Sequence, residues 1–428
     1  MNINMKYGKT GLKLDLPGDF DVTLIQKKAM PVLQDHERAI MAAFVNPVKS
    51  KTLREEVKGC SSCCILICDI TRPVPNSIIL SPLIKELIGA GMPPESITVL
   101  VATGLHRPNE GDELRELVGS DWVLATVAVS NHFARLDDDH EYIGTVSGGI
   151  EARLDRRFIK ADLRIVAGLV EPHFMAGYSG GRKIVVPGIA HETTIRSLHC
   201  ARILENCRAA NCIIEGNPLH TVQMEILQMV GRCLAVNTVI DEDRRISFVN
   251  FGEIEESHLE AISFVRPYAE ILLKTRFRTV VTSSAGYPLD KTYYQTVKGM
   301  VGALDILEPG GDLIIVSACS DGIGSPEYAE AQMCLTDEGP EKFLSGIIEK
   351  KYAAIDEWQT EMQVKAMKRA NIFLYTGGLT KEQQALTGVT VIESPLAAVK
   401  ASVEAHGDRR VAVIPEGPYV IPLFVPEF

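Results

Sequence analysis

Short runs of apolar, largely β-branched residues recur along the chain, each closed by a glycine, a proline or a polar cluster. Residues 63–70 read CCILICDI, residues 97–103 read ITVLVAT and residues 162–172 read DLRIVAGLVEP. A continuous apolar run of this length marks a strand buried on both faces, as strands of parallel sheets are. The pattern returns at 279–284, 312–317, 371–375 and 411–415, with a turn at Pro309, Gly310 and Gly311. Between these runs lie helical patterns at 81–91, 191–204 and 219–231, and a charged stretch, 253–274, reads as a helical connector. Pro73 and Pro75 are expected to delay the helix after the first strand. Alternation of strand and helix from about residue 20 to 240, resumed after 279, predicts βαβ units.

At 428 residues the chain exceeds one ordinary core, so two α/β domains with largely parallel sheets and an active-site cleft between them are expected. The boundary is placed near 270: residues 1–270 as the catalytic and cofactor-binding domain, residues 271–428 as a domain contributing substrate-binding residues. A composition 46% hydrophobic and 23% charged is that of an ordinary globular protein. A formal charge of −11, with basic residues dispersed, argues against nucleic acid or an anionic membrane as partner. The first residues lack the apolar core of a signal peptide, and no stretch approaches the roughly 18 apolar residues of a membrane span. A cytoplasmic protein is the expectation, and nothing in the sequence sets its oligomeric state. Ten cysteines are present, and disulfides are not expected in that compartment. Cys63 and Cys64 alternate along a strand, so the group with Cys60 and Cys68 reads as packing rather than as a metal cluster.

Polar chemistry collects just past the strand ends. Asp69, Thr71 and Arg72 follow the first strand, Gly104, Leu105, His106 and Arg107 the second, and His173 to Lys183, HFMAGYSGGRK, the third. GYPLD at 286–290 follows the fourth and leads into a helix beginning near Tyr293. Loops leaving that edge of a parallel sheet converge on its ligand. Gly177 to Gly181 matches the G-x-S-x-G elbow of serine hydrolases, but the strand ends several residues too early for that turn. The glycines fit backbone that approaches phosphate oxygens closely, or a plain turn. His191 and His199 fall in one predicted helix, about 80° and about 12 Å apart, and cannot share a metal. No cluster has zinc-ligand spacing, so a bound metal would need ligands from elsewhere. Tyr294, Gln295 and Lys298 share a helix face, offering phenol, amide and cation to an acid substrate, or simply an exposed amphipathic face. His36, His132, His140, His258 and His406 are expected to be solvated, and His220, at a helix start, to be structural.

Taken in order, DITRP at 69–73, GLHRP at 104–108, HFMAGYSGGRK at 173–183, His199 and YPLDKTYYQTVKG at 287–299 resemble the nickel-dependent lactate racemase family across both predicted domains. The resemblance implies a racemase or epimerase of a 2-hydroxy acid, lactate-like or larger. It implies a nickel-pincer nucleotide, the pyridinium-3-thioamide-5-thiocarboxylic acid mononucleotide, joined to Lys183, and proteins that make it as partners. His199 matches the nickel ligand, which resolves the missing ligand set because the cofactor supplies the rest. His106 and His173 match an acid/base pair, needed because the substrate hydroxyl is handled in two orientations while hydride leaves and returns through a planar 2-keto acid. Asp69, Ser179, Gly180 and Gly181 match positions around the cofactor, and Arg72, Tyr294, Gln295 and Lys298 match positions around the substrate. Arg182 departs from the small residue of some members, and an extra cation there would meet either a more polar substrate or the cofactor phosphate. The competing readings are a nickel-free binding or sensor protein of the same fold, and an NAD-dependent hydroxyacid dehydrogenase. The latter lacks a G-x-G-x-x-G after a strand.

Overall fold

A computed structural model describes residues 1–426 and divides the chain into two compact α/β units. The first unit comprises Ala29–Leu198 and Ile213–Arg266; the second comprises Met1–Lys28, His199–Cys212 and the chain from Pro267 onward. The units are therefore not two consecutive stretches. The change near Pro267 lies close to the predicted boundary at 270, but the first 28 residues and the His199 segment join the later part of the chain.

The first unit is built on a six-stranded sheet in the order Ile246–Glu253, Leu234–Ile240, Leu163–Leu169, Cys63–Cys68, Ile97–Ala102, Ala128–Asn131. All neighbours pair in parallel except the first two, which form an antiparallel edge absent from the predicted elements. Cys63, Cys64, Ile65, Leu66 and Ile67 are all buried, which explains why that strand carries no polar alternation. The cysteines are free, and burial raises the Cys63 thiol, so they pack as small hydrophobes.

Three helical expectations change. The helix after the first strand spans Asn76–Gly89, beginning directly after Pro75 and carrying Pro82 inside. Its start needs no N–H from Pro75, whose carbonyl accepts from Ile78 and Ile79, and the buried face of Ile79, Leu80, Leu83, Ile84 and Leu87 outweighs the bond lost at Pro82. The predicted helix 191–204 is two short helices, Glu192–Leu198 and Ala201–Leu204, with His199 in the turn between them. The predicted connector 253–274 is the helix Ile254–Ala269 followed by a strand, Glu270–Leu273, paired in parallel with Ile421–Phe424.

The second unit carries an all-parallel sheet in the order Thr390–Ile392, Ala370–Tyr375, Leu307–Val316, Phe277–Ser283, Arg410–Ile414, Asp21–Leu24. Gly310, at φ 73°, turns the chain where Leu307–Val316 bulges against its neighbour. The helix Tyr293–Gly302 begins where expected, because Thr292 caps it by accepting from the Gln295 N–H. Among the described residues no helix is long and apolar enough to cross a membrane.

Candidate active site

In the first unit the strands Cys63–Cys68 and Leu163–Leu169 are adjacent, and the sheet grows in opposite directions from them. Loops leaving such a pair diverge and open a crevice at their carboxyl ends. Asp69, Thr71 and Arg72 leave one strand; Glu171 and His173 leave the other.

Asp69 is turned toward the loop after Ile97–Ala102, where its Oδ2 lies 2.5 Å from His106 Nδ1. Its Oδ1 accepts from the Thr71 hydroxyl at 2.6 Å. Burial would raise this carboxyl, but His106, Thr71 and Arg72 together hold it below its ordinary value. Asp69 is thus ionised and directed at a histidine. The His106 side chain is 59% exposed, so its far nitrogen can meet a ligand. Arg72 Nη1 lies 3.0 Å from Glu171 Oε1, an ion pair between the two strand ends. Glu171 was not among the predicted site residues, although an acid closing an apolar strand beside His173 was its signal.

His173 is buried, and its Nδ1 accepts the backbone N–H of Met175 at 3.3 Å and of Ala176 at 3.2 Å. The neutral ring therefore carries its proton on Nε2. The turn that follows is held by the protein itself. Ser179 Oγ donates to the Leu169 carbonyl at 2.8 Å and accepts from the Glu171 N–H at 3.1 Å. A Cβ on Gly180 would stand 2.9 Å from the Leu169 carbonyl, and one on Gly181 would stand 2.8 Å from the His258 ring. Packing alone thus demands glycine at both positions.

Lys183 and Arg182 open the short helix Arg182–Val185. Desolvation, then the Arg72 guanidinium, lowers the Lys183 ammonium to about 7. About half of this amine is neutral near pH 7, the form that can attack an acyl centre. Arg182 is turned into its own loop. It is 2% exposed and donates to the carbonyls of Ala176 at 2.7 Å and Tyr178 at 3.4 Å, with Nη1 3.4 Å from both ring nitrogens of His258. It closes the loop on itself.

The remaining predicted residues belong to the second unit. The helix Tyr293–Gly302 buries Tyr293, Thr296, Val297 and Met300 and leaves Tyr294, Gln295 and Lys298 on its more open side. Trp358, on the helix Glu357–Arg369, donates Nε1–H to the Tyr294 hydroxyl at 3.3 Å, and its ring lies 4.8 Å from that of His199. Gln359 donates to the Tyr294 carbonyl at 2.6 Å. Neither Trp358 nor Gln359 was legible as a site neighbour, because that helix has no apolar stripe.

Three histidines expected in solvent are buried. His132 and His140 face each other at 2.9 Å between Nε2 atoms, and burial lowers both. His258 donates Nε2–H to the Ser179 carbonyl at 2.7 Å, and burial lowers it to about 3. Their partners come from loops distant in sequence, which local polarity does not reveal. Among the described residues no group of three or more His, Cys, Asp or Glu is placed to hold a metal.

An ionised carboxylate orienting a histidine, with a lysine of lowered pKa at the switch point of a parallel sheet, is the kind of arrangement found at the active sites of α/β enzymes. Family models for the lactate racemase N-terminal domain and the lactate racemase C-terminal domain match residues 7–211 and 274–422. The chain is 30% identical over 425 residues to a lactate racemase of Thermoanaerobacterium thermosaccharolyticum, covering 98% of this chain and 99% of that one. It is 28% identical over 388 residues to a lactate racemase of Lactiplantibacillus plantarum, 90% of each chain. The solved lactate racemase apoprotein of the former organism superposes with a TM-score of 0.91 at 29% identity, covering 99% of this chain and all of that one. A Thermotoga maritima protein, TM-score 0.68 at 17% identity over 90% of this chain and 98% of its own, shares the fold. The chain belongs to the lactate racemase family.

Proposed function

We propose that this protein is a racemase or epimerase of a 2-hydroxy acid, lactate or a larger relative, working with a nickel-pincer nucleotide joined to Lys183. The Asp69–His106 pair carries the reading, because it is built to move a proton at a ligand. The residues fit the cofactor in two respects. Lys183 offers a desolvated amine whose ammonium is lowered to about 7, so that the neutral form acylation requires is well populated near neutral pH, and His199 offers the one imidazole needed when a metal arrives with its other ligands. When bound, the cofactor supplies the acceptor and donor of the hydride that leaves and returns at the substrate's C2.

The chain's own residues do the rest. Asp69 accepts the Nδ1–H of His106, so Nε2 presents its lone pair to the substrate hydroxyl and the imidazolium formed is stabilised by the carboxylate. His173 starts from the opposite state, with Nδ1 occupied by backbone N–H groups and Nε2 as donor, suited to holding the reacting oxygen from the other side. Arg72, Gln295, Tyr294 and Lys298 are assigned to the substrate's carboxylate and oxygen, where cations and donors stabilise developing negative charge. Asp69 acts through His106 in this scheme, and Ser179, Gly180 and Gly181 act by shaping the loop that presents Lys183. The proteins that produce the cofactor are the implied partners, in the cytoplasm.

Protein made alongside cofactor-producing enzymes is incubated with pure L- or D-lactate, malate or a sugar acid and followed by chiral chromatography. Appearance of the opposite configuration at C2 only in the loaded protein is the expected result. A fully loaded protein that leaves every acid of the panel unchanged refutes the reading. Reduction of added NAD by a hydroxy acid would instead favour the dehydrogenase.

A further inference from the structure

The segment His199–Cys212 belongs to the second unit although the chain on either side of it belongs to the first. An excursion this short needs firm attachment. Leu204 is fully buried, and Ala201 sits in an apolar cluster with Leu335, Phe343, Ile347 and Val364. Apolar contacts are non-directional and do not by themselves fix a ring's aim. The directional contacts come from Lys365 on the helix Glu357–Arg369. Its Nζ donates to the carbonyl of Leu204, the last residue of the helix Ala201–Leu204, and lies 3.7 Å from Glu205 Oε1. A terminal helix carbonyl has no intrahelical partner, so this donor answers a need of the segment itself. Lys365 stands two turns beyond Trp358 on the same helix face, and Trp358 is the residue against the His199 ring.

We infer that Lys365 is a positioning residue that fixes the His199 segment and thereby aims the imidazole proposed as the metal's protein ligand. The inference rests on the reading of His199 given above. Lysine suits the place because its ammonium serves the Leu204 carbonyl and the Glu205 carboxylate together, and without it Glu205 would lose its nearby cation.

The test uses the cofactor-loaded full chain. In Lys365→Met, hydrogen–deuterium exchange of peptides covering residues 199–205 should be about tenfold faster or more, while peptides covering 63–102 stay unchanged. Nickel per lysine adduct should fall in the same sample. Because the single variant leaves Glu205 without its cation, Lys365→Met combined with Glu205→Gln must show the same loosening in a protein whose Tm matches wild type. Wild-type exchange across 199–205 in that folded double variant overturns the proposal. If His199→Ala retains all its nickel, the ligand reading falls by itself, and the exchange rates still decide whether Lys365 anchors the segment.

Discussion

Asp69 Oδ2 and His106 Nδ1 lie 2.5 Å apart, the carboxylate buried and the imidazole mostly exposed. The carboxylate selects the tautomer and leaves the exposed nitrogen open to a ligand, which in the proposed reaction is the substrate hydroxyl. Asp69→Asn should lower kcat about a hundredfold or more, with a smaller effect on KM, because an amide supports the wrong tautomer and does not stabilise imidazolium. Loss of activity only through a raised KM would show that Asp69 binds a ligand instead. The variant should also lose less stability in acid. The Asp69 carboxyl is held below its ordinary value, so its contribution is present above the unfolded value and vanishes as pH falls through the folded one.

Lys183 should outcompete surface lysines for an amine-directed acylating reagent at pH 7.5, because an ammonium lowered to about 7 is mostly neutral there. Peptide mapping of the cofactor-free protein after brief labelling measures this. Labelling of Lys183 that only becomes efficient near pH 10 would contradict it. Holding a lysine in this environment also costs stability: the penalty is full below pH 7 and fades as pH rises toward the ordinary lysine value of 10.5. Lys183→Met should therefore raise Tm at pH 6 more than at pH 9.5.

Arg182→Ala should leave the ratio of catalytic efficiencies for lactate, malate and a sugar acid unchanged at equal nickel occupancy. Its guanidinium is committed to the carbonyls of Ala176 and Tyr178. The expected damage is to the loop, on the order of 1–3 kcal/mol for carbonyls left unpaired, visible as a lower Tm. A selective loss against the acid with the most polar side chain would place the arginine at the substrate after all.

Glu361 is 1% exposed, and burial, opposed by Lys365 and reinforced by Glu205, pushes its carboxyl up to about 9. It keeps its proton in the folded protein at neutral pH and loses it in the unfolded chain. Its contribution is complete below the ordinary glutamate value and is lost as pH rises toward 9, at about 1.4 kcal/mol per pH unit as an upper bound. Glu361→Gln, which cannot ionise, should show a smaller fall in Tm between pH 5 and pH 9 than wild type. Parallel curves for the two proteins would mean that Glu361 is ionised in both states.

Much of the fold and site was legible because the signals are local. The runs at 63–70, 97–103 and 162–172 are apolar on both faces, and only a strand covered on both sides satisfies that pattern. Loops past the carboxyl ends of parallel strands are where ligands bind, so the ends marked Asp69, Arg72, His106, His173 and Lys183 as candidates. The helix Glu357–Arg369 stayed invisible for the converse reason. Its buried Glu357, Gln359, Thr360, Glu361 and Gln363 look like solvent residues, and partners for them come from other segments, as for the amide groups of Gln359 at the Tyr294 carbonyl and Gln363 at the Thr387 carbonyl.

The order of apolar runs and polar loops is a property of the chain alone, and it was enough to determine the α/β class, the parallel sheets and the candidates at the strand ends. Partnership is a property of packing. Only the tertiary structure decided that Asp69 serves His106, that Arg72 pairs with Glu171 across 99 residues of sequence, and that Arg182 turns inward onto its own loop. It also decided that His199 leaves the helix predicted for it and stands against Trp358. The physical reason is common to all four: hydrogen bonds, ion pairs and ring contacts act over a few ångströms, and which groups come within that range is set by the sheet order and by the burial it enforces, neither of which any local stretch of sequence contains.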